Sequence, residues 1–377
     1  MEDDKINHDK FILLVGAGAS RDIGYPTLDD LLKQAMIGFD DIDQLIRATN
    51  SAITVNGPKS TNYEQLIGKL KEYSKLSYDL RTDYVLMTVF KQIPNVLEIE
   101  SKFAQALIKC YRILANLFGP DGVNKNSGAF TFLPDFYKKL AELNTTPSSS
   151  SRAHSLHIYT TNYDCSYQVM ASNFNNISFM THISNEDGKF KDGWYNIRVD
   201  LTDKGLPEVY IHRLHGCVTW YNIPGDDGSP GNTREKIGSG GGHTKLIYKD
   251  NELQNMCIKL NTTELLGKHK IFSGAFEEFY QQLNDIDVLI VWGYSFSDFE
   301  VTSQINQALM VRRANPFRIY YIDPYLSDYA VFENIVNTLS KATIKVSPHF
   351  RPQQIKWIPS DGRDTLTQMV IERITNI

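Results

Sequence analysis

The feature that most constrains this chain is Lys10-Phe-Ile-Leu-Leu-Val15, an apolar run that stops abruptly at Gly16-Ala17-Gly18-Ala19-Ser20. A strand with one wet face alternates apolar and polar residues, and a helix spaces its apolar residues at three and four. A run without alternation, closed by a glycine turn, is the pattern of a parallel strand covered on both faces and followed by a helix. Four further runs repeat it: His157 to Thr161, Val209 to Leu214, Asp287 to Trp292 and Arg318 to Ile322. Each gives way to polar or turn residues, and Ala342 to Val346 offers one more strand. Helical spacing at Phe276 to Leu283 and Val301 to Val311 falls between runs. Strands alternating with helices specify an α/β fold, a Rossmann-like doubly wound parallel sheet.

The sheet-forming segments are not contiguous. Residues 28–151 read as mostly helical, with apolar spacing at Leu66 to Leu76 and Val96 to Leu117. We read them as a large helical insertion beside the sheet, closed by the loop Thr145 to Ser151. A second insertion covers 221–272 and contains the glycine-rich stretch Gly225 to Gly242. The core is then 8–27, 152–220 and 273–360 within one unit spanning 1–377. No internal repeat and no heptad pattern is visible.

Composition narrows the function. A net charge of -5 supplies no basic field, so direct nucleic-acid binding is not expected. Arg312 and Arg313 read as a solvated helix face. The start, Met1-Glu2-Asp3-Asp4-Lys5, lacks the basic-then-apolar pattern of a secretory signal, and the apolar runs are strand-sized, so a cytoplasmic location and no membrane partner are expected. The four cysteines, Cys110, Cys165, Cys217 and Cys257, form no CxxC pair, which argues against a cysteine zinc module and for buried free thiols. His154 and His157 have no further ligand nearby in sequence and read as surface or core residues. The expectation is no metal.

Chemistry concentrates where strands end, which is where open α/β sheets handle ligands. The glycines of Gly16-Ala17-Gly18-Ala19-Ser20 let backbone approach a pyrophosphate, or simply make a tight turn; Gly24-Tyr25-Pro26-Thr27 then interrupts the helix. Thr160-Thr161-Asn162-Tyr163-Asp164 places polar groups after the second strand, as ligand contacts or as a helix cap. Arg213-Leu214-His215-Gly216 offers His215 as a general base, with His212 as competitor. Alternation puts the two histidines on opposite faces if both lie in the strand, so only one should enter the cleft. Gly293-Tyr294-Ser295-Phe296-Ser297-Asp298 offers a close backbone approach, the Ser295 hydroxyl, and Asp298 as a cap or contact. Asp323 could receive a ribose diol or belong to a plain turn. No zinc-hydrolase motif, P-loop or GxSxG elbow is present.

Taken in order, these motifs resemble the sirtuin family. The resemblance implies NAD as substrate, with Asn162, Asp164 and His215 at the reacting centre. It also implies Gly16, Ala17, Ser20, Gly293 and Ser295 as cofactor contacts; Gly18, Pro26, Thr161, Asp298 and Asp323 are further candidate cofactor-binding positions at the same strand ends. Leu28-Asp29 stand where deacylase sirtuins carry Phe-Arg, and no set of four zinc cysteines follows His215-Gly216. His215-Gly-Cys-Val-Thr-Trp220 is similar to bacterial sirtuin-like antiphage defence proteins that hydrolyse NAD⁺, most like those paired with a HerA-type ATPase. That resemblance implies an NAD⁺ glycohydrolase. Such an activity must be gated, and the apolar faces of the helical insertion read as the interface of a homo-oligomer. A protein deacylase, an ADP-ribosyltransferase and a catalytically silent nucleotide-binding subunit are the alternatives.

Overall fold

The computed structural model describes residues 10–26, 96–144, 154–183, 190–198, 205–223, 232–235, 238–240, 243–245, 256–258, 270–296, 298–312, 314–322 and 355–358. In chain order the strands are β1 (Phe11–Val15), β2 (Ser155–Thr160), β3 (Ser178–Ile183), β4 (Phe190–Asn196), β5 (Glu208–Arg213), β6 (Gly216–Ile223), β7 (Asn232–Glu235), β8 (Gly238–Gly240), β9 (His243–Lys245), β10 (Met256–Ile258), β11 (Val288–Trp292), β12 (Arg318–Ile322) and β13 (Ile355–Ile358). The α-helices are α1 (Ala17–Ser20), α2 (Val96–Phe118), α3 (Gly128–Leu143), α4 (Ser166–Asn173), α5 (Lys270–Leu283) and α6 (Phe299–Val311).

Eight strands form one sheet in the order β13-β12-β11-β1-β2-β5-β3-β4. Every pairing is parallel except β3 with β4 at the edge. After β1 the chain adds β2, then β3 and β4 further out, comes back as β5 between β2 and β3, and later returns to the other side of β1 as β11, β12 and β13. The order therefore reverses between β1 and β11, the kind of switch point at which a crevice opens beyond the carboxyl ends of the strands.

The continuous apolar run of β1 has a direct cause. Phe11, Leu13 and Val15 join one apolar cluster, while Ile12 and Leu14 join another on the opposite face. The first cluster includes Phe136 and Leu140 of α3 and Leu114 and Phe118 of α2; the ring of Phe136 meets that of Trp292 edge-on at 5.2 Å. The second is filled by Phe276, Phe279 and Leu283 of α5 and by Val301 and Ile305 of α6. Each fully buried side chain of this kind contributes about 1.5–3 kcal/mol, so the helices on both faces are integral to the sheet.

Several expectations are refined. The core strands fall within two residues of their expected bounds. The helical stretch read as an insertion supplies α2 and α3, whose described residues pack into the sheet's own core. Strands β3 and β4 extend the sheet where none was expected, and β13 closes the far edge. The expected strand Ala342 to Val346 and the helix Leu66 to Leu76 lie outside the described residues. β6, which begins in the stretch expected as core and runs into the second insertion, pairs with β7 and β10, and β8 pairs with β9, in small antiparallel sheets. Arg312 is not a solvated helix face: its guanidinium turns back to the carbonyls of Leu283 and Ile286 and lies over the Phe317 ring. Arg313 lies outside the described residues. Among those described, no helix is long and apolar enough to cross a membrane.

Candidate functional site at the carboxyl ends of the central strands

Four adjacent strands, β11, β1, β2 and β5, carry the motif residues past their carboxyl ends. The turns after β1 and β11 interlock first. The Gly16 N–H donates to the carbonyl of Trp292 at 2.9 Å, and the Gly18 N–H to the carbonyl of Gly293 at 3.0 Å. A Cβ on Gly16 would fall 2.5 Å from the Gly293 oxygen, and one on Gly293, which has φ of +60°, would fall 2.3 Å from the Ala19 nitrogen. The glycines are thus required by the contact of one turn with the other. The helix that follows is a single turn, continued by a 3-10 turn at Arg21–Ile23 that Gly24 closes in the left-handed region at φ +101°. Two residues on the rim of the paired turns, Ala17 and Ser295, are exposed, while Gly18 and Pro26 are half-buried.

Behind the rim lies a directed hydrogen-bond chain. The Asn162 Nδ2 donates to the Gly16 carbonyl at 3.0 Å and to Ser20 Oγ at 2.8 Å. Ser20 Oγ in turn donates to Asp164 Oδ2 at 2.7 Å. A hydroxyl has one proton to give, and the carboxylate takes it, so the serine must accept from the amide. This order fixes the rotation of the Asn162 carboxamide and turns its oxygen away from the network. Asp164 Oδ1 accepts the Ser166 N–H at 2.9 Å at the start of α4, so the helix-capping role weighed for this segment coexists with the network. Asp164 is 1% exposed, and such a carboxylate needs a compensating cation. Arg213 at the end of β5 supplies it. Burial works to lower the pKa of Arg213, but Cys217 and Asp164 more than offset this and hold it raised. Its guanidinium donates to Gln168 Oε1 at 2.9 Å and to the Asn162 carbonyl at 3.3 Å.

His215 stands beyond β5, which ends at Arg213, and precedes Gly216 at φ +84°. Its Nε2 meets Asp298 Oδ2 at 2.6 Å, and its ring lies 6.1 Å from that of Tyr163. The other oxygen of Asp298 accepts the Val301 N–H at 2.9 Å and caps α6. One carboxylate therefore starts a helix and orients an imidazole. Asp298 was expected to contact the cofactor, and its contact here is with His215. Thr161, half-exposed, is tied to β1 through its N–H to the Val15 carbonyl at 3.1 Å. Asp323 lies outside the described residues.

His212 is a separate matter. It sits inside β5 and faces α5, stacked on Tyr159 at 4.2 Å. Its Nε2 is 2.9 Å from Nδ1 of His157 on β2, and its Nδ1 is 3.5 Å from Oε2 of Glu278 on α5. His157 has no further ligand nearby in sequence, but in the fold the pairing of β2 with β5 aligns Tyr159 with His212 and brings His157 to the same face. Residues distant in sequence meet there, and no local spacing signals it. Sequence reasoning likewise had no signal for the links Ser20 to Asp164 or His215 to Asp298.

No family model and no curated protein matches this chain. Among solved structures, one of Sir2 enzymes is 10% identical, covering 98% of this chain and 94% of its own with a TM-score of 0.36. A Sir2 homolog in complex with NAD is 12% identical, covering 98% of this chain and 92% of its own with a TM-score of 0.37. The strand order and the paired glycine turns define the fold independently of these likenesses: it is an α/β sheet, almost wholly parallel, with its motif residues at the carboxyl ends of the strands around the switch point.

Proposed function

We propose that this chain is an NAD⁺ glycohydrolase whose reacting centre lies between Asn162 and His215. The observation that carries the reading is the convergence of a fixed carboxamide, a carboxylate-held imidazole and two interlocked glycine turns at the carboxyl ends of four adjacent strands. The exposed backbone at Ala17 and the Ser295 hydroxyl suit the diphosphate and ribose of a dinucleotide. The amides of Gly16 and Gly18 are already engaged, so the contact there is made by the rim.

In the reaction the bond between ribose C1′ and the nicotinamide nitrogen breaks, and its electron pair neutralises the pyridinium. The leaving group thus needs no proton. Water adds to C1′ and its proton is lost, which gives nicotinamide, ADP-ribose and one H⁺. Asn162 positions that water or a ribose hydroxyl, and His215 accepts the proton. Asp298 holds the imidazole in place. Asp164 acts through Ser20 on the rotation of Asn162, a positioning role that its burial favours.

Unregulated NAD⁺ cleavage would drain a cell. A role in antiphage defence by NAD⁺ depletion, in the cytoplasm and under control of a homo-oligomer docked on a HerA-type ATPase, completes the proposal. The described parts of α2 and α3 spend their apolar faces on the chain's own core, so an oligomer surface comes from elsewhere in the chain. Purified protein incubated with NAD⁺, with and without an acyl-lysine peptide, tests the activity. Equimolar nicotinamide and ADP-ribose in both samples support it. Release that requires the peptide would replace hydrolysis with deacylation, and no release from a chain that binds NAD⁺ would leave a silent nucleotide-binding subunit. Light scattering alone and with the ATPase tests the assembly.

A further inference from the structure

We propose that His157, His212 and Glu278 form a binding site for one Zn²⁺-class divalent cation, which pins α5 to β2 and β5. Ligand-type atoms from the three residues all lie within 4.8 Å of one another. His157 Nδ1 is 2.9 Å from His212 Nε2 and 3.8 Å from Glu278 Oε1; His212 Nδ1 is 3.5 Å from Glu278 Oε2. Two ligand atoms bound to tetrahedral zinc at about 2.0–2.1 Å stand about 3.3 Å apart. With His212 ligating through Nδ1, the separations from Glu278, 3.5 and 3.8 Å, lie just above that value, and small side-chain rotations complete the site.

One further observation points to a ligand. His212 is 1% exposed, and its Nδ1 has no hydrogen-bond partner, an arrangement that costs free energy unless something binds there. A cation bound by His212 Nδ1 together with His157 and Glu278 supplies that partner. The rings are also fixed in advance. His157 stacks on Tyr210 at 4.8 Å, and His212 lies between Tyr159 at 4.2 Å and Trp194 at 4.8 Å.

Two imidazoles and one carboxylate select a borderline cation such as Zn²⁺ over Mg²⁺ or Ca²⁺, which take oxygen ligands. Side-chain exposures of 23% for His157 and 32% for Glu278 leave an entry path and room for water in the fourth position. The expectation of no metal rested on the cysteines, which take no part here. The site does not depend on the NAD⁺ reading, since none of its residues belongs to the proposed reacting centre.

The test uses the full chain stripped with a chelator and then titrated with Zn²⁺ or Co²⁺ alone, followed by calorimetry, melting and the visible spectrum of Co²⁺. The expected result is one cation per chain, a raised Tm, and a Co²⁺ ligand-field band without thiolate charge transfer. Glu278→Gln and His157→Ala, both at partly exposed positions, should each weaken binding by at least roughly tenfold with an unchanged fold by circular dichroism. No uptake by the wild-type chain, uptake untouched by both variants, or a thiolate band would each overturn the proposal.

Discussion

Two histidines three residues apart, His212 and His215, each meet a carboxylate contributed by a later helix or its cap, and the two pairs occupy different places in the fold. His212 lies within β5, is buried under α5, and meets Glu278 at 3.5 Å among stacked aromatic rings. His215 lies past the strand's end, meets Asp298 at 2.6 Å, and stands on the side of the sheet where Asn162 and the glycine turns converge. The strand positions both. Inside it, alternation commits a side chain to a helix-covered face. Beyond its last residue the backbone is released by Gly216, and a side chain can address the crevice. Being a buried histidine beside an acid does not distinguish the two; position relative to the carboxyl end of the sheet does.

Breaking the His215 side of this comparison should have the largest effect. His215→Ala should lower kcat for NAD⁺ cleavage by about 10²–10⁴-fold, the usual worth of a positioned acid–base group, with NAD⁺ affinity and Tm close to wild type. Normal turnover by this variant would remove His215 from the mechanism. Asn162→Ala comes next, with kcat down on the order of a hundredfold from lost positioning. A change in KM alone would reassign Asn162 to simple binding.

The two carboxylates sharpen the contrast. Asp298→Asn keeps a competent helix cap but loses the charge beside His215, and steady-state kinetics should show a fall of about 10–100-fold, the usual cost of removing the support of a functional histidine. Glu278→Gln, beside His212, should leave kcat unchanged. Equal losses from both variants would erase the distinction between the two sites. The smallest effect expected is on stability: Asp298→Ala, which also removes the cap on α6, should be less stable than Asp298→Asn by about 1 kcal/mol in denaturant unfolding.

Much of the fold was legible because the central strands are buried on both faces. β1, β2, β5, β11 and β12 each wrote a continuous apolar run, and the helices α5 and α6 wrote a one-sided pattern. The strands that escaped notice lack that signature. β3, with Ser178, Thr181 and His182, is partly polar, and β4 is an edge strand paired on one side only. α3 was absorbed into the supposed insertion although Ser127 caps it through the Phe130 N–H at 3.1 Å. Within the site, the motif residues were legible singly because each follows a strand. Their partners were not. Ser20 with Asp164, His215 with Asp298, and His157 with His212 and Glu278 are joined only by strand order, and strand order is set by the packing of the whole sheet.

The central claim is that NAD⁺ lies in the crevice at the carboxyl ends of β11, β1, β2 and β5, with its nicotinamide ribose between Asn162 and His215. A crystal structure of the His215→Ala variant with NAD⁺ tests this most directly. The account predicts intact dinucleotide with the nicotinamide ribose against the Asn162 carboxamide and the diphosphate along Ala17 and Ser295. NAD⁺ bound elsewhere, or with its nicotinamide end remote from Asn162, would contradict it.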